Sequence, residues 1–334
     1  MIEAENLENR GEEHVVSKTY NDDDSLHRQR RNLVILITGC SGFVGTNVTQ
    51  YFVDKGVQVV GVDIAEPKRK FAKNFTFHKC DLTDRDAVVK TFDKFNPQKV
   101  IHLAFVTIPT DNYAEFLMDS KITLNMLDTS AKKKVERFLL MSSSTVYGLK
   151  PTDEPVDETD KFATAQPRGT YGKAKLAAEM VARQYYDAEK LPVTIFRGFE
   201  IYGPSLTIPS IVRKLCDKAL KGEPLTLFCY GKQKTDFTYV EDLARAMDLV
   251  FSEPKTVGET LNAGAGLIYT YEEFAKTISQ IVPAKIELLP PRPNEKPFYL
   301  YSDIHKLKAL GFKPKTDIKE GLKNTIDWLN KANA

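Results

Sequence analysis

Leu33-Val34-Ile35-Leu36-Ile37-Thr38 is an unbroken apolar run ending in a threonine, and Gly39-Cys40-Ser41-Gly42-Phe43-Val44-Gly45 follows it without a spacer. An apolar run with no polar alternation suits a strand buried on both faces. The glycines permit a tight turn and let a phosphate chain approach the backbone, its charge resting on the N-terminus of the helix that follows. That helix is expected to run to about Lys55, with Gly56 stopping it. The spacing is GxxGxxG rather than GxGxxG, so its force lies in the strand, turn and helix context around it.

The same texture continues outward. VQVVGV (57–62), FTFH (75–78), VIHLAF (100–105), RFLLMS (137–142) and VTIFRG (193–198) are short β-rich runs, separated by stretches long enough for crossover helices. Alternation of this kind predicts an α/β fold with a doubly wound, Rossmann-like parallel sheet. Asp84 is placed to cap the helix after the third strand. Beyond residue 200 prolines break the rhythm, with a cluster at Pro290, Pro291, Pro293 and Pro297, which predicts a smaller, loop-rich C-terminal substrate lobe. The expected division is a polar tail at 1–31, a dinucleotide-binding domain at 32–200 with 236–260 packing back on it, and a substrate lobe from 201–235 and 261–334.

Asp63 ends the second strand, eighteen residues after Gly45. A carboxylate there accepts hydrogen bonds from both hydroxyls of an adenosine ribose and repels a 2′-phosphate, which favours NAD over NADP. Lys68, Arg69 and Lys70 lie just beyond and are the residues that could instead recruit that phosphate.

Composition narrows the function classes. The chain has 334 residues, 42% hydrophobic and 28% charged, which suits a folded globular protein with a sizeable core. A net charge of +2 argues against nucleic acid as the main partner. No apolar run is long enough for a membrane span and the N-terminus lacks a signal-peptide pattern, so a cytoplasmic location is expected. Cys40, Cys80, Cys216 and Cys229 lie far apart with no CxxC pair, which predicts reduced thiols and no metal site.

Two further segments carry chemistry. Met141-Ser142-Ser143-Ser144-Thr145-Val146-Tyr147-Gly148 closes the fifth strand, and Tyr171-Gly172-Lys173-Ala174-Lys175 opens a helix. Residues 171 and 175 share a helical face, and an ammonium beside a phenol lowers the phenol's pKa. Together with the glycine loop, Asp63, Asp81-Leu82, His102-Leu103-Ala104, the RGFEIYGP segment from Arg197 to Pro204, and Asp236-Phe237-Thr238-Tyr239-Val240-Glu241-Asp242, these motifs resemble in content and order the extended short-chain dehydrogenases/reductases. The likeness covers about residues 32–330 and is to the NAD-dependent epimerase/dehydratase branch, which acts mainly on nucleotide sugars.

The resemblance implies Tyr171 as catalytic base, Lys175 as the group that tunes it and binds the nicotinamide ribose, and Ser143 as the hydroxyl that hydrogen-bonds the reacting oxygen. It further implies that Asp81 and Leu82 cradle adenine and that Ala104 joins Gly39, Gly42, Phe43, Val44 and Gly45 around the cofactor. A homodimer is also implied, built on helices near 113–133 and 171–189 through Leu117, Leu124, Leu176 and Met180. Sugar dehydratases resemble one another in placing Asp and Glu directly after the catalytic hydroxyl, where this chain has Ser144 and Thr145. That departure leaves chemistry needing only a hydride and one proton, namely 4-epimerisation of a nucleotide sugar through a 4-keto intermediate. The alternatives are an NAD(P)-dependent dehydrogenase or reductase of a free sugar, sterol-like or other secondary alcohol, and a redox-sensing module without catalysis.

Three substrate-lobe positions depart from the pattern. Glu200 stands where the family has an Asn that approaches the substrate diphosphate, Thr235 where it has a phosphate-binding Arg, and Arg292-Pro293-Asn294-Glu295 keeps the Arg and a carboxylate but loses a Gly. Arg292 is then the surviving anchor, and Lys232 or Lys234 could supply the missing charge. Thr145 completes the expected substrate contacts.

Overall fold

The structure is a computed structural model that describes residues 33–105, 113–160 and 167–333; the tail expected at 1–31 lies outside them. The chain opens with β1 (Val34–Thr38), α1 (Phe43–Asp54), β2 (Gln58–Asp63), β3 (Phe75–Lys79), α2 (Arg85–Phe95) and β4 (Lys99–His102). It continues through α3 (Tyr113–Lys132), β5 (Arg137–Ser143), α4 (Gly169–Glu189), β6 (Val193–Gly198) and β7 (Ile201–Tyr202). The remainder holds α5 (Ile211–Leu220), β8 (Leu225–Leu227), β9 (Lys234–Asp236), β10 (Thr238–Tyr239), α6 (Val240–Ser252), β11 (Thr260–Ala263), β12 (Ile268–Thr270), α7 (Tyr271–Ile281), β13 (Ile286–Leu288), β14 (Tyr299–Leu300), α8 (His305–Ala309) and α9 (Ile318–Asn333).

Seven parallel strands form the large sheet in the order β11-β6-β5-β4-β1-β2-β3. Strand order reverses direction at β1, where Thr38 pairs with Val62 on one side and His102 on the other. A crevice must open beyond the carboxyl ends at such a point, because the crossover helices leave to opposite faces. Alternation along β1 feeds two cores. Ile35 and Ile37 pack with Val48, Leu243 and Met247 from α1 and α6. Leu36 points the other way, among Val88, Met126 and Ala178 from α2, α3 and α4.

Local signals set the helix ends. Asp84 accepts from the N–H groups of Asp86 and Ala87 at the start of α2, as expected of a cap, and Asn96 ends that helix in the left-handed region. After α1 the chain turns at Gly56 with φ +76°. A separate core joins α5, α7 and α9, centred on Phe237 and Phe274, whose rings stack at 3.8 Å.

Parts of the 261–334 stretch expected in the substrate lobe pack on the large sheet instead. Residues 261–263 complete β11, its edge strand, after Thr260, and Ile304, Leu307 and Phe312 pack into the core shared by α1 and α6. Their stretches are too short to show a period, and only long-range pairing and packing place them. Among the described residues all four cysteines are buried and free, and no helix is long and apolar enough to cross a membrane.

Candidate active site

A continuous cavity of about 1480 Å³ starts at the carboxyl ends of β1, β2 and β4 and runs past Ser143 and Tyr171 to α5 and the 292–298 segment. Its first part is the glycine turn. Gly39 has φ +68°, and a Cβ there would sit 2.8 Å from the N of Ala104. A Cβ on Gly45 would lie 1.9 Å from the Gly39 carbonyl oxygen, so the strand-to-helix turn closes only with glycine at that position. The N-cap of α1 is Gly42, which has no side chain to occupy the first-turn N–H groups, and Phe43, Val44 and Gly45 line the cavity beside it. Those N–H groups have no partner within the helix and suit a pyrophosphate.

Asp63 stands at the end of β2, with Oδ2 accepting from the Ser41 N–H at 3.0 Å and Oδ1 from the Ala65 N–H at 3.2 Å. The carboxylate is thereby held at the cavity wall, whereas Lys68, Arg69 and Lys70 are exposed and not among the residues lining it. Asp81 accepts from the Thr83 N–H at 2.9 Å and its hydroxyl at 2.8 Å, bonds that hold its pKa below the usual carboxylate value. Leu82 is buried against the same wall.

One residue that the motifs do not mark organises this end. Thr38 Oγ1 accepts from the N–H groups of Leu103 and Ala104, both at 3.1 Å, and its hydroxyl is hydrogen-bonded to His102 Nδ1 at 2.8 Å. Burial drives the imidazole down to about 3, so it stays neutral and can accept that bond. The loop carrying Ala104 is pinned against the glycine turn as a result.

Ser143, Tyr171 and Lys175 come together where β5 ends and α4 begins. Ser143 caps a short 3-10 turn (Ser144–Tyr147) by accepting from the Thr145 N–H at 3.2 Å, and its hydroxyl also hydrogen-bonds the Tyr171 phenol. Lys175 Nζ donates to the Met141 carbonyl at 2.7 Å and lies 5.7 Å from the Tyr171 ring centroid. Burial pushes the phenol up to about 12 and the ammonium down to about 7, the Ser143 bond partly offsetting the first and nearby carboxylates the second. Phe105 carries no signal in the sequence either: its ring sits 3.5 Å from Lys175 Nζ and meets Tyr171 edge-on at 5.7 Å. At the end of an apolar run nothing distinguishes it from a core residue.

Behind these groups lies a buried carboxylate. Glu179, one turn beyond Lys175, receives two bonds from Arg197, Nε at 3.0 Å and Nη2 at 2.7 Å, and one from the Ser142 hydroxyl. Arg197 also donates to the Tyr147 hydroxyl at 2.9 Å, which itself donates to Asn262 Oδ1 at 2.6 Å. The helix holding Tyr171 and Lys175 is thus locked to the strand holding Ser143.

In the substrate half, Thr145, Glu200 and Arg292 line the cavity and Thr235 does not. Thr235 is the middle residue of β9, only 5% exposed, and its hydroxyl donates to the Leu300 carbonyl at 2.9 Å. Flanked by β12 and β14, it has no route to a substrate. Lys234 is paired with Asp153 and, like Lys232, is not among the lining residues. The cations that do line this half include Arg168, Lys214 and Lys218 on α5, Lys221 just beyond it, and Arg292, whose guanidinium stacks 3.8 Å from the Phe228 ring centroid. No group of His, Cys, Asp and Glu among the described residues could hold a metal ion.

Residues 35–264 match the model of the NAD dependent epimerase/dehydratase family. The chain is 29% identical over 325 residues to a UDP-glucuronate 4-epimerase of Thermodesulfobacterium geofontis, covering 88% of this chain and 95% of that one. It is 27% identical over 337 residues to a dTDP-glucose 4,6-dehydratase of Haemophilus influenzae, covering 88% and 97%. Among solved structures it is similar to the UDP-glucose 4-epimerase of Thermus thermophilus in complex with NAD, with a TM-score of 0.76, 27% identity and coverage of 90% and 100%. With more than half its length matched, this chain belongs to the NAD dependent epimerase/dehydratase family, enzymes of the extended short-chain dehydrogenase type.

Proposed function

We propose that the protein is a nucleotide-sugar 4-epimerase that holds NAD and passes its substrate through a 4-keto intermediate. The observation that carries this reading is the set Ser143, Tyr171 and Lys175 on one cavity wall, followed by Ser144 and Thr145 in place of the carboxylates a dehydratase needs. NAD fits the first half of the cavity by the glycine cradle, the open α1 N-terminus and the Asp63 carboxylate. Asp63 also favours NAD over NADP, since a 2′-phosphate beside it meets like charge.

Tyr171 takes the proton of the sugar 4-hydroxyl as C4 is oxidised. The chemistry that NAD supplies when bound is acceptance of the C4 hydride and its return to the opposite face of the rotated ketone. Ser143 donates a hydrogen bond to the reacting oxygen as it becomes a carbonyl. Lys175 in its charged form stabilises the phenolate, and Phe105 shields the pair from water. Tyr171 then gives the proton back, so protons and electrons balance with no net redox. Lys214, Lys218, Lys221 and Arg292 are among the lining cations suited to a diphosphate.

Incubation with a panel of nucleotide sugars and free sugars, with products resolved by chromatography and absorbance followed at 340 nm, tests this reading. Interconversion of 4-epimers with no net absorbance change is expected. Net NADH formation on a substrate lacking a diphosphate would establish the dehydrogenase reading, which the burial of Thr235 favours.

A further inference from the structure

Glu200 is a carboxylate on the cavity wall that the mechanism above leaves unused. Its carbonyl accepts from the Thr238 N–H at 3.0 Å, which ties its backbone to β10, while its side chain has no hydrogen bond or ion pair with any described residue. Arg168, Tyr271 and Phe298 line the same part of the cavity, and Arg168 is near enough for its charge to act on the carboxylate. Arg168 is the N-cap of α4, three residues before Tyr171, and its N–H donates to the Thr145 carbonyl at 2.8 Å. Its guanidinium lies 5.7 Å from the Phe298 ring centroid, and that ring meets Tyr271 edge-on at 6.0 Å. The two charged groups therefore line one cavity together with these two rings, without pairing to each other.

We propose that Glu200 reads the sugar rather than the phosphates, and that with Arg168 it selects a hexose carrying hydroxyl groups over one carrying a carboxylate. The inference rests on the nucleotide-sugar reading and deepens it. Arg168 is anchored through Thr145 at the start of the helix that carries Tyr171, whereas the cations suited to a diphosphate stand on α5 and at residue 292. One guanidinium and one carboxylate on a wall sum to no net charge, which matches a neutral ring whose hydroxyls accept from the one and donate to the other. A uronate would add a second negative charge beside Glu200 and force one carboxyl to take up a proton. Burial pushes Glu200 up to about 7 against the pull of Arg168, so the carboxylate is fully charged, and its proton uptake costly, only above neutral pH.

The test compares UDP-glucose with UDP-glucuronate for the wild type and for Glu200→Gln, with inhibition by UDP and NAD binding measured on both. At pH 8 the wild type is expected to favour UDP-glucose in kcat/KM by about tenfold or more, the scale of protonating a carboxyl one unit above its pKa, and the preference should shrink as the pH falls through 7. Glu200→Gln should lose most of that preference while UDP inhibition and NAD binding stay close to those of the wild type. A wild type that prefers UDP-glucuronate overturns the proposal, and so does a variant whose UDP affinity changes while its sugar preference does not. If UDP inhibits neither protein, the nucleotide-sugar reading falls and the proposal with it; if UDP inhibits both and the preference is unmoved, only the role of Glu200 falls.

Discussion

At the scale of single residues, the site turns on protons that burial has displaced. Burial pushes Tyr171 up to about 12 and Lys175 down to about 7, and in the proposed mechanism a charged Lys175 is the group that would bring the phenol's pKa back down. Tyr171→Phe removes one oxygen and should lower kcat by about 100-fold or more, with NAD binding by titration nearly unchanged. In Lys175→Met the phenol loses its cation and its pKa rises; the limb of the kcat profile that climbs with pH should therefore move to higher pH. Asp63→Ala should narrow the preference for NAD over NADP in a binding titration, because it removes the ribose acceptor and the repulsion together. A wild type that binds NADP more tightly would assign the choice to Lys68, Arg69 and Lys70.

Elements are held in register by the buried Glu179–Arg197 pair, which joins α4 to β5 and β6. Glu179→Ala leaves a buried guanidinium without its partner and should cost about 3–5 kcal/mol, seen as a lower midpoint in denaturant. Replacing both partners by Met should recover much of that stability without restoring kcat, because the Ser142 and Tyr147 links that align Ser143 with Tyr171 are still lost. The cap on α2 is a smaller device. Asp84→Ala should cost about 1 kcal/mol and leave kcat unchanged, since α2 carries none of the reacting groups.

For the whole molecule, the apolar surface of α3 and α4 is the feature to explain. Leu117, Leu124 and Met180 are 50%, 43% and 66% exposed, whereas Leu176 packs inward beside the Val146 and Tyr147 cluster. We infer that the exposed three meet a second copy, with Leu176 contributing to the protomer's own core. Light scattering at micromolar concentration should give the mass of a dimer, and Leu117→Lys with Met180→Lys should give that of a monomer. A monomeric wild type would leave these side chains as ordinary surface.

The sheet, the glycine turn, Asp63 and the Tyr171–Lys175 pair were legible from sequence because each depends on near neighbours along the chain: apolar runs set strands, a turn needs its glycines, and four residues make one helical turn. The roles of Thr38 and Phe105 were not, since each acts on groups brought to it from other strands and helices. Thr235 shows the same limit in reverse. Its position in a motif promised a substrate contact, and pairing with β12 and β14 turned its hydroxyl to a strand carbonyl instead. Local chemistry along the chain therefore determined the fold and placed the candidate groups on their elements, while long-range pairing alone decided which side chains face the cavity, because burial and hydrogen-bond satisfaction are properties of the assembled sheet and not of any one segment.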